Sequence, residues 1–148
     1  MLNVQLHDGK PLILLVEDNP DDELLVRRTF QRAGLKHQII SVRTGGEAIA
    51  YVSGQPPFDD RQNFPIPDLV LLDINIPGQN GFEVLRAIRQ AWLPWHLPII
   101  MLTSSDQIHD ANQAYKLGAN SFLVKPLDFA NATELVQSLD KVLAGVHD

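Results

Sequence analysis

Five polar side chains stand just after short apolar runs: Glu17 and Asp18 after 12–16, Asp73 after 69–72, Thr103 after 98–102, and Lys125 after 121–124. Three carboxylates brought into one pocket repel strongly where water is excluded, so such a set asks for a cation. Oxygen donors without His or Cys suit a hard ion. Mg²⁺ comes first, since it is held by one or two carboxylates together with waters and phosphate oxygens, and Mn²⁺ is the second choice. Thr103 and Lys125 offer a hydrogen bond and a positive charge to an anion on the other side. A phosphoryl group carried on Asp73 would meet both, with Asp73 as the nucleophile. Taken alone, Asp73 reads more plainly as a turn residue ahead of Pro77 and Gly78. The matched groups on the other run ends give it chemistry.

The elements that must position these residues alternate in type. The runs 12–16 and 69–72 are unbroken, apolar and bounded by turn formers, the pattern of strands buried on both faces of a parallel sheet, and 39–42, 98–102 and 121–124 read as further short strands. After the first, Asn19 is a good N-cap, Pro20 suits the first helical position, and Asp21, Asp22 and Glu23 complement the helix dipole. That helix runs to about Ala33, with Gly34 as its stop. A short second helix follows Thr44 through Ala48, Ile49 and Val52. Helical spacing recurs over 81–90, from about 106 to 117, and in the last segment through Leu135, Leu139 and Val142. Residues 53–67 hold Gly54, Pro56, Pro57, Pro65 and Pro67, so they read as a surface loop. Trp92 and Trp95 fall in the connection 91–98, where they are expected to cover the bottom of the core.

Five β-α repeats imply a doubly wound α/β fold, a five-stranded parallel sheet with helices on both faces and the flavodoxin-like order 2-1-3-4-5. The strand order reverses beside strand one, so the ends of strands one, three, four and five converge there. A length of 148 residues fits a single domain, with a core spanning about 12–143. Twelve basic against eighteen acidic residues give a net charge of −6, the wrong sign for a nucleic-acid partner. The absence of cysteine suits a reducing compartment, and no apolar run approaches the roughly 18 residues of a membrane span, so a cytoplasmic protein with no membrane partner is expected. His7, His37, His96, His109 and His147 lack ligand spacing and read as ordinary surface residues.

In order and spacing, Glu17-Asp18-Asn19-Pro20, the stretch from Leu72-Asp73 through Pro77 to Gly81, Thr103-Ser104 and Lys125-Pro126 resemble the receiver domains of two-component response regulators. The resemblance covers nearly the whole chain. It implies that Asp73 is the phosphoacceptor, that Glu17, Asp18, Asp73 and the backbone carbonyl of Asn75 hold Mg²⁺, and that Thr103 and Lys125 bind the phosphoryl oxygens. It also implies a switch pair, Thr103 and Phe122, and a cis peptide before Pro126. A protein of this kind receives a phosphoryl group from a sensor histidine kinase and is not a turnover enzyme. The long loop and the Asn-Pro-x-Asp opening of the first helix are similar to the regulators that serve cyanobacterial and bacterial phytochrome kinases. A chemotaxis-like or phosphorelay regulator is the alternative. Output would pass through protein contact, with a homodimer expected on the face of the fourth helix, fifth strand and fifth helix, which carries Tyr115 and Phe122. A rival from another class is a Mg²⁺-dependent phosphohydrolase of the haloacid dehalogenase type. Those enzymes place a second Asp two residues after the nucleophile, where Asn75 cannot serve as acid and base.

Overall fold

Apolar residues that continue without a polar break can be satisfied only by a strand covered on both sides, and the central strands obey this literally. In a computed structural model that describes residues 10–76, 78–103 and 110–144, β1 (Leu12–Val16), β3 (Leu69–Asp73) and β4 (Ile99–Thr103) are buried at every position. The other elements in chain order are α1 (Pro20–Arg32), β2 (Gln38–Val42), α2 (Gly45–Ser53), α3 (Gly81–Arg89), α4 (Asp110–Lys116), β5 (Ser121–Val124) and α5 (Ala132–Ala144). The five strands are parallel and ordered β2-β1-β3-β4-β5, as the alternation predicted.

Strand alternation divides the core into two layers. Ile13, Leu15, Leu69, Leu71, Ile100, Leu102 and Leu123 pack on Val26 and Phe30 of α1 and on Leu135, Leu139 and Val142 of α5. Leu14, Val16, Val70, Leu72 and Met101 pack on Tyr51 and Val52 of α2, on Val84, Leu85 and Ile88 of α3, and on Ala114 of α4. Each such side chain contributes roughly 1.5–3 kcal/mol by leaving water, so the two layers fix the sheet between its helices.

Local signals set the helix starts. Asn19 Oδ1 accepts from the backbone N–H of Asp21 and Asp22 at 2.8 and 3.2 Å, capping α1 behind Pro20. Thr44 with Glu47, and Asn80 with Glu83, form reciprocal capping boxes on α2 and α3. The fourth helix was expected from about 106. Its described part begins at Asp110, and Ser104, Ser105 and Ile108 lie outside the described residues, as do His7, His109, His147 and Pro77. A 3₁₀ turn, Phe129–Asn131, precedes α5 and was not anticipated.

Ser53 still belongs to α2, and residues 54–67 lack regular structure as expected, yet their side chains do not simply face solvent. Phe58 and Phe64 pack on each other and on Tyr51 with ring centroids 5.1 to 6.0 Å apart. The Arg61 guanidinium donates to the carbonyls of Val52 and Phe64. The prolines ruled out a helix, and the phenylalanines then decided where the loop lies. Of the two tryptophans, Trp92 packs on the core and its Nε1 donates to Val52 O, whereas Trp95 is 53% exposed. No helix among the described residues is long and apolar enough to cross a membrane.

Candidate functional site

The crevice forms where β1, β3, β4 and β5 end. Register alone brings two of its residues near each other: Val16 pairs with Leu72, so Glu17 and Asp73 each lie one step past that pair. By strand alternation Glu17 follows Ile13 and Leu15, Asp73 follows Leu69 and Leu71, and Lys125 follows Leu123, all on the layer covered by α1 and α5. The carboxylates are then held from behind. Glu17 Oε2 accepts from Asn19 N at 3.2 Å, and Asp73 Oδ1 accepts from Asn75 N at 2.9 Å. Gly81 lets α3 start directly against the end of β3. Its N–H donates to Ile74 O at 2.7 Å, and a Cβ there would stand 2.6 Å from Asp73 O and 2.7 Å from Ile74 Cα.

Glu17 and Asp73 are 1% and 2% exposed, and one carboxylate oxygen from each of Glu17, Asp18 and Asp73 lies within 4.8 Å of the others. Lys125 enters from β5, its N–H donating to Thr103 O at 2.7 Å, and the Lys125–Pro126 peptide is cis. Its Nζ donates to Asp73 Oδ2 at 2.6 Å and lies 3.1 Å from both Glu17 Oε1 and Asp22 Oδ2. The Glu17 contact is an ion pair out of hydrogen-bond alignment, which leaves Oε1 a buried acceptor with no hydrogen-bond donor among the described residues.

These surroundings act on the charges. Burial, and then the Asp73 charge beside it, pushes the Glu17 carboxyl up to about 7 against the opposing pull of Lys125. Burial alone would lower the Lys125 ammonium, but Asp73, Asp22 and Glu17 outweigh it and hold the group well above its ordinary value. Lys125 is therefore a permanent cation, and it is outnumbered by the carboxylates around it. A buried carboxylate oxygen without a donor, in a set of oxygen ligands only, fits a hard divalent ion.

Thr103 is 1% exposed and lies one residue beyond Leu102, the partner of Asp73 on β4. Met101 pairs with Phe122, so Phe122 faces the same side of the sheet as Thr103. Phe122 packs on the core and meets the 48% exposed Tyr115 edge-on, with centroids 6.0 Å apart at 78°. Asn75 is exposed. Asp22 was anticipated only as a dipole-compensating residue of α1, and its place at Lys125 was missed. Its position in the first turn of a helix that opens onto the strand ends was the available signal.

A doubly wound fold whose switch-point crevice gathers carboxylates around a lysine has donors for a hard cation and a positive charge for an anion side by side. The chain belongs to the response regulator receiver domain family, which it matches over residues 13–137. It is 33% identical over 129 residues to the response regulator Rcp1 of Synechocystis sp., covering 87% of this chain and 86% of that one. The solved Mn²⁺-bound form of Rcp1 superposes with a TM-score of 0.72, covering 88% and 92% of the two chains at 33% identity. RPA3017, a response regulator in red light signalling of R. palustris, is 36% identical with a TM-score of 0.78, over 87% of this chain and 90% of that one. The phosphorylated cyanobacterial phytochrome response regulator RcpA is 27% identical with a TM-score of 0.75, over 94% and 97%. The phosphohydrolase alternative has no support in these likenesses.

Proposed function

We propose that Asp73 accepts a phosphoryl group from a sensor histidine kinase, and that the kinase is of the phytochrome type. The observation that carries the site assignment is the 2.6 Å contact of Lys125 Nζ with the buried Asp73, inside the carboxylate cluster. In the transfer, an Asp73 oxygen attacks phosphorus while the bond from phosphorus to the donor's imidazole nitrogen breaks, and the electron pair leaves on that nitrogen. The Lys125 ammonium and the Thr103 hydroxyl bind the phosphoryl oxygens. Glu17, Asp18, Asp73 and the backbone carbonyl of Asn75 hold Mg²⁺, or Mn²⁺ in its place. When bound, the ion supplies neutralisation of the charge gathering on the transferred group. The partner assignment rests on likeness to RPA3017 and RcpA, whose names tie them to red-light and phytochrome signalling.

The product is a signal and not a released compound, so the protein is not a turnover enzyme. A new acceptor on Asp73 draws Thr103, and Phe122 on the same side of the sheet moves into the space vacated beside β5. The face of α4, β5 and α5, bearing Tyr115, then changes and passes the signal by protein contact in the cytoplasm, with a second copy of the chain as one partner. Incubation with acetyl phosphate and Mg²⁺, followed by intact-mass measurement, tests the assignment. One phosphoryl group is expected on the wild type and none on Asp73→Asn. A phosphorylated Asp73→Asn variant overturns the assignment. Phosphotransfer from a phytochrome-type kinase, compared with a chemotaxis-type kinase, tests the partner.

A further inference from the structure

An ammonium has three N–H donors and no acceptor. Around Lys125 Nζ stand three carboxylate oxygens, from Asp73 at 2.6 Å, Glu17 at 3.1 Å and Asp22 at 3.1 Å. The Asp73 contact is a hydrogen bond and the Glu17 and Asp22 oxygens stand at ion-pair distance, so a phosphoryl oxygen that approaches this ammonium competes with all three for its charge and its remaining N–H groups. Asp73 is the reacting group, and Glu17 is buried and belongs to the cation cluster. Asp22 differs from both: its side chain is 37% exposed, and it sits in the first turn of α1, where Asn19 Oδ1 takes its backbone N–H. It is the carboxylate that can leave toward water at the least desolvation cost.

We propose that Asp22 is a counter-ion gate on the phosphoryl site. In the unmodified protein it holds Lys125, and it competes with the incoming phosphoryl group for that ammonium while repelling the group's negative charge. Both effects have one sign, so Asp22 lowers the ease of loading Asp73. It touches no reacting atom, which makes it a positioning residue acting through Lys125. This rests on the phosphoacceptor reading of Asp73 given above.

The test is the affinity of the full chain for beryllofluoride, a mimic of the phosphoryl group, at saturating Mg²⁺ and low salt. Loss of a residue with only a structural role does not strengthen binding, so a gain in affinity separates the two. Asp22→Asn is expected to bind about three- to fivefold more tightly, the scale of one half-exposed ion pair. Asp22→Glu keeps the charge and is expected to bind like the wild type. Asp21→Asn removes the same charge from the same turn without a contact to Lys125, and is expected to leave the affinity unchanged. An Asp22→Asn variant that binds no more tightly than Asp21→Asn overturns the gate, as does one that binds more weakly, which would make Asp22 a support of the cation. An Asp22→Glu variant as tight as Asp22→Asn overturns it too, because charge would not be the cause. If the wild type binds no beryllofluoride at all, the phosphoacceptor reading itself fails, a result distinct from these.

Discussion

Replacing Glu17 by Gln should make the cation-free protein more stable, although it removes a buried residue of the site. Glu17 is almost fully buried, and its carboxyl is raised from 4.5 to about 7 by burial and by Asp73. For an acid whose pKa is higher in the folded state, the folded chain binds more protons, so stability is greatest below the unfolded value and is lost as pH rises through the folded value. Here that window runs from 4.5 to about 7. At about 1.36 kcal/mol per unit, ionised Glu17 costs the folded state about 3 kcal/mol above that window. Gln escapes this cost, keeps an oxygen for the N–H of Asn19, and can donate to Asp73 where a protonated Glu17 would. Urea denaturation in chelator at a series of pH values measures it. The variant is expected to gain little near pH 4.5 and about 3 kcal/mol near pH 8, with the difference opening between. With Mg²⁺ at a hundredfold over its dissociation constant the wild type recovers about 2.7 kcal/mol and the variant much less, so the difference narrows or reverses. A variant less stable than the wild type in chelator near pH 8, or a difference that ignores pH, would refute the reasoning.

Gly81→Ala should cost about 1–3 kcal/mol, because its Cβ meets the backbone of Asp73 and Ile74 at 2.6 and 2.7 Å and neither can turn aside. The same shift should slow acetyl phosphate labelling, and a variant with wild-type stability would show that α3 yields freely. Arg89 is a half-buried guanidinium that donates to the carbonyls of Trp92, Leu97 and Gly118 and to Asn120 Oδ1. Lysine cannot span that fork, so Arg89→Lys should lose about 2 kcal/mol in thermal or chemical unfolding, while Mg²⁺ affinity at the far end of the sheet stays the same.

What could be read from the sequence, and what could not, divides along a physical line. A strand buried on both faces must be an apolar run, so the places where 12–16, 69–72 and 98–102 stop lead to Glu17, Asp73 and Thr103, and Lys125 follows the partly buried edge strand at 121–124 in the same way. Alternation even assigns the face, since its period is fixed by the backbone. Contacts between groups on different elements have no such period. Arg89 looks like an ordinary basic residue at a helix end, and its partners at 118 and 120 lie on a loop beyond β4 and α4. Phe58 and Phe64 sit among prolines and a run of polar residues, where composition says only that a helix is impossible. Trp95 carries the same side chain as Trp92 and lies three residues on, yet one packs and the other does not. Asp22 is the instructive case, because its local role and its long-range role coincide. Its charge suits the first turn of α1 for reasons of helix dipole alone, which hides that the same turn overhangs the crevice. Lys125 arrives from β5 to answer Glu17 and Asp73, and Asp22 reaches the same ammonium from α1. A phosphoryl ligand of the site therefore meets an ammonium already in contact with three carboxylates, and Asp22 is the most exposed of the three.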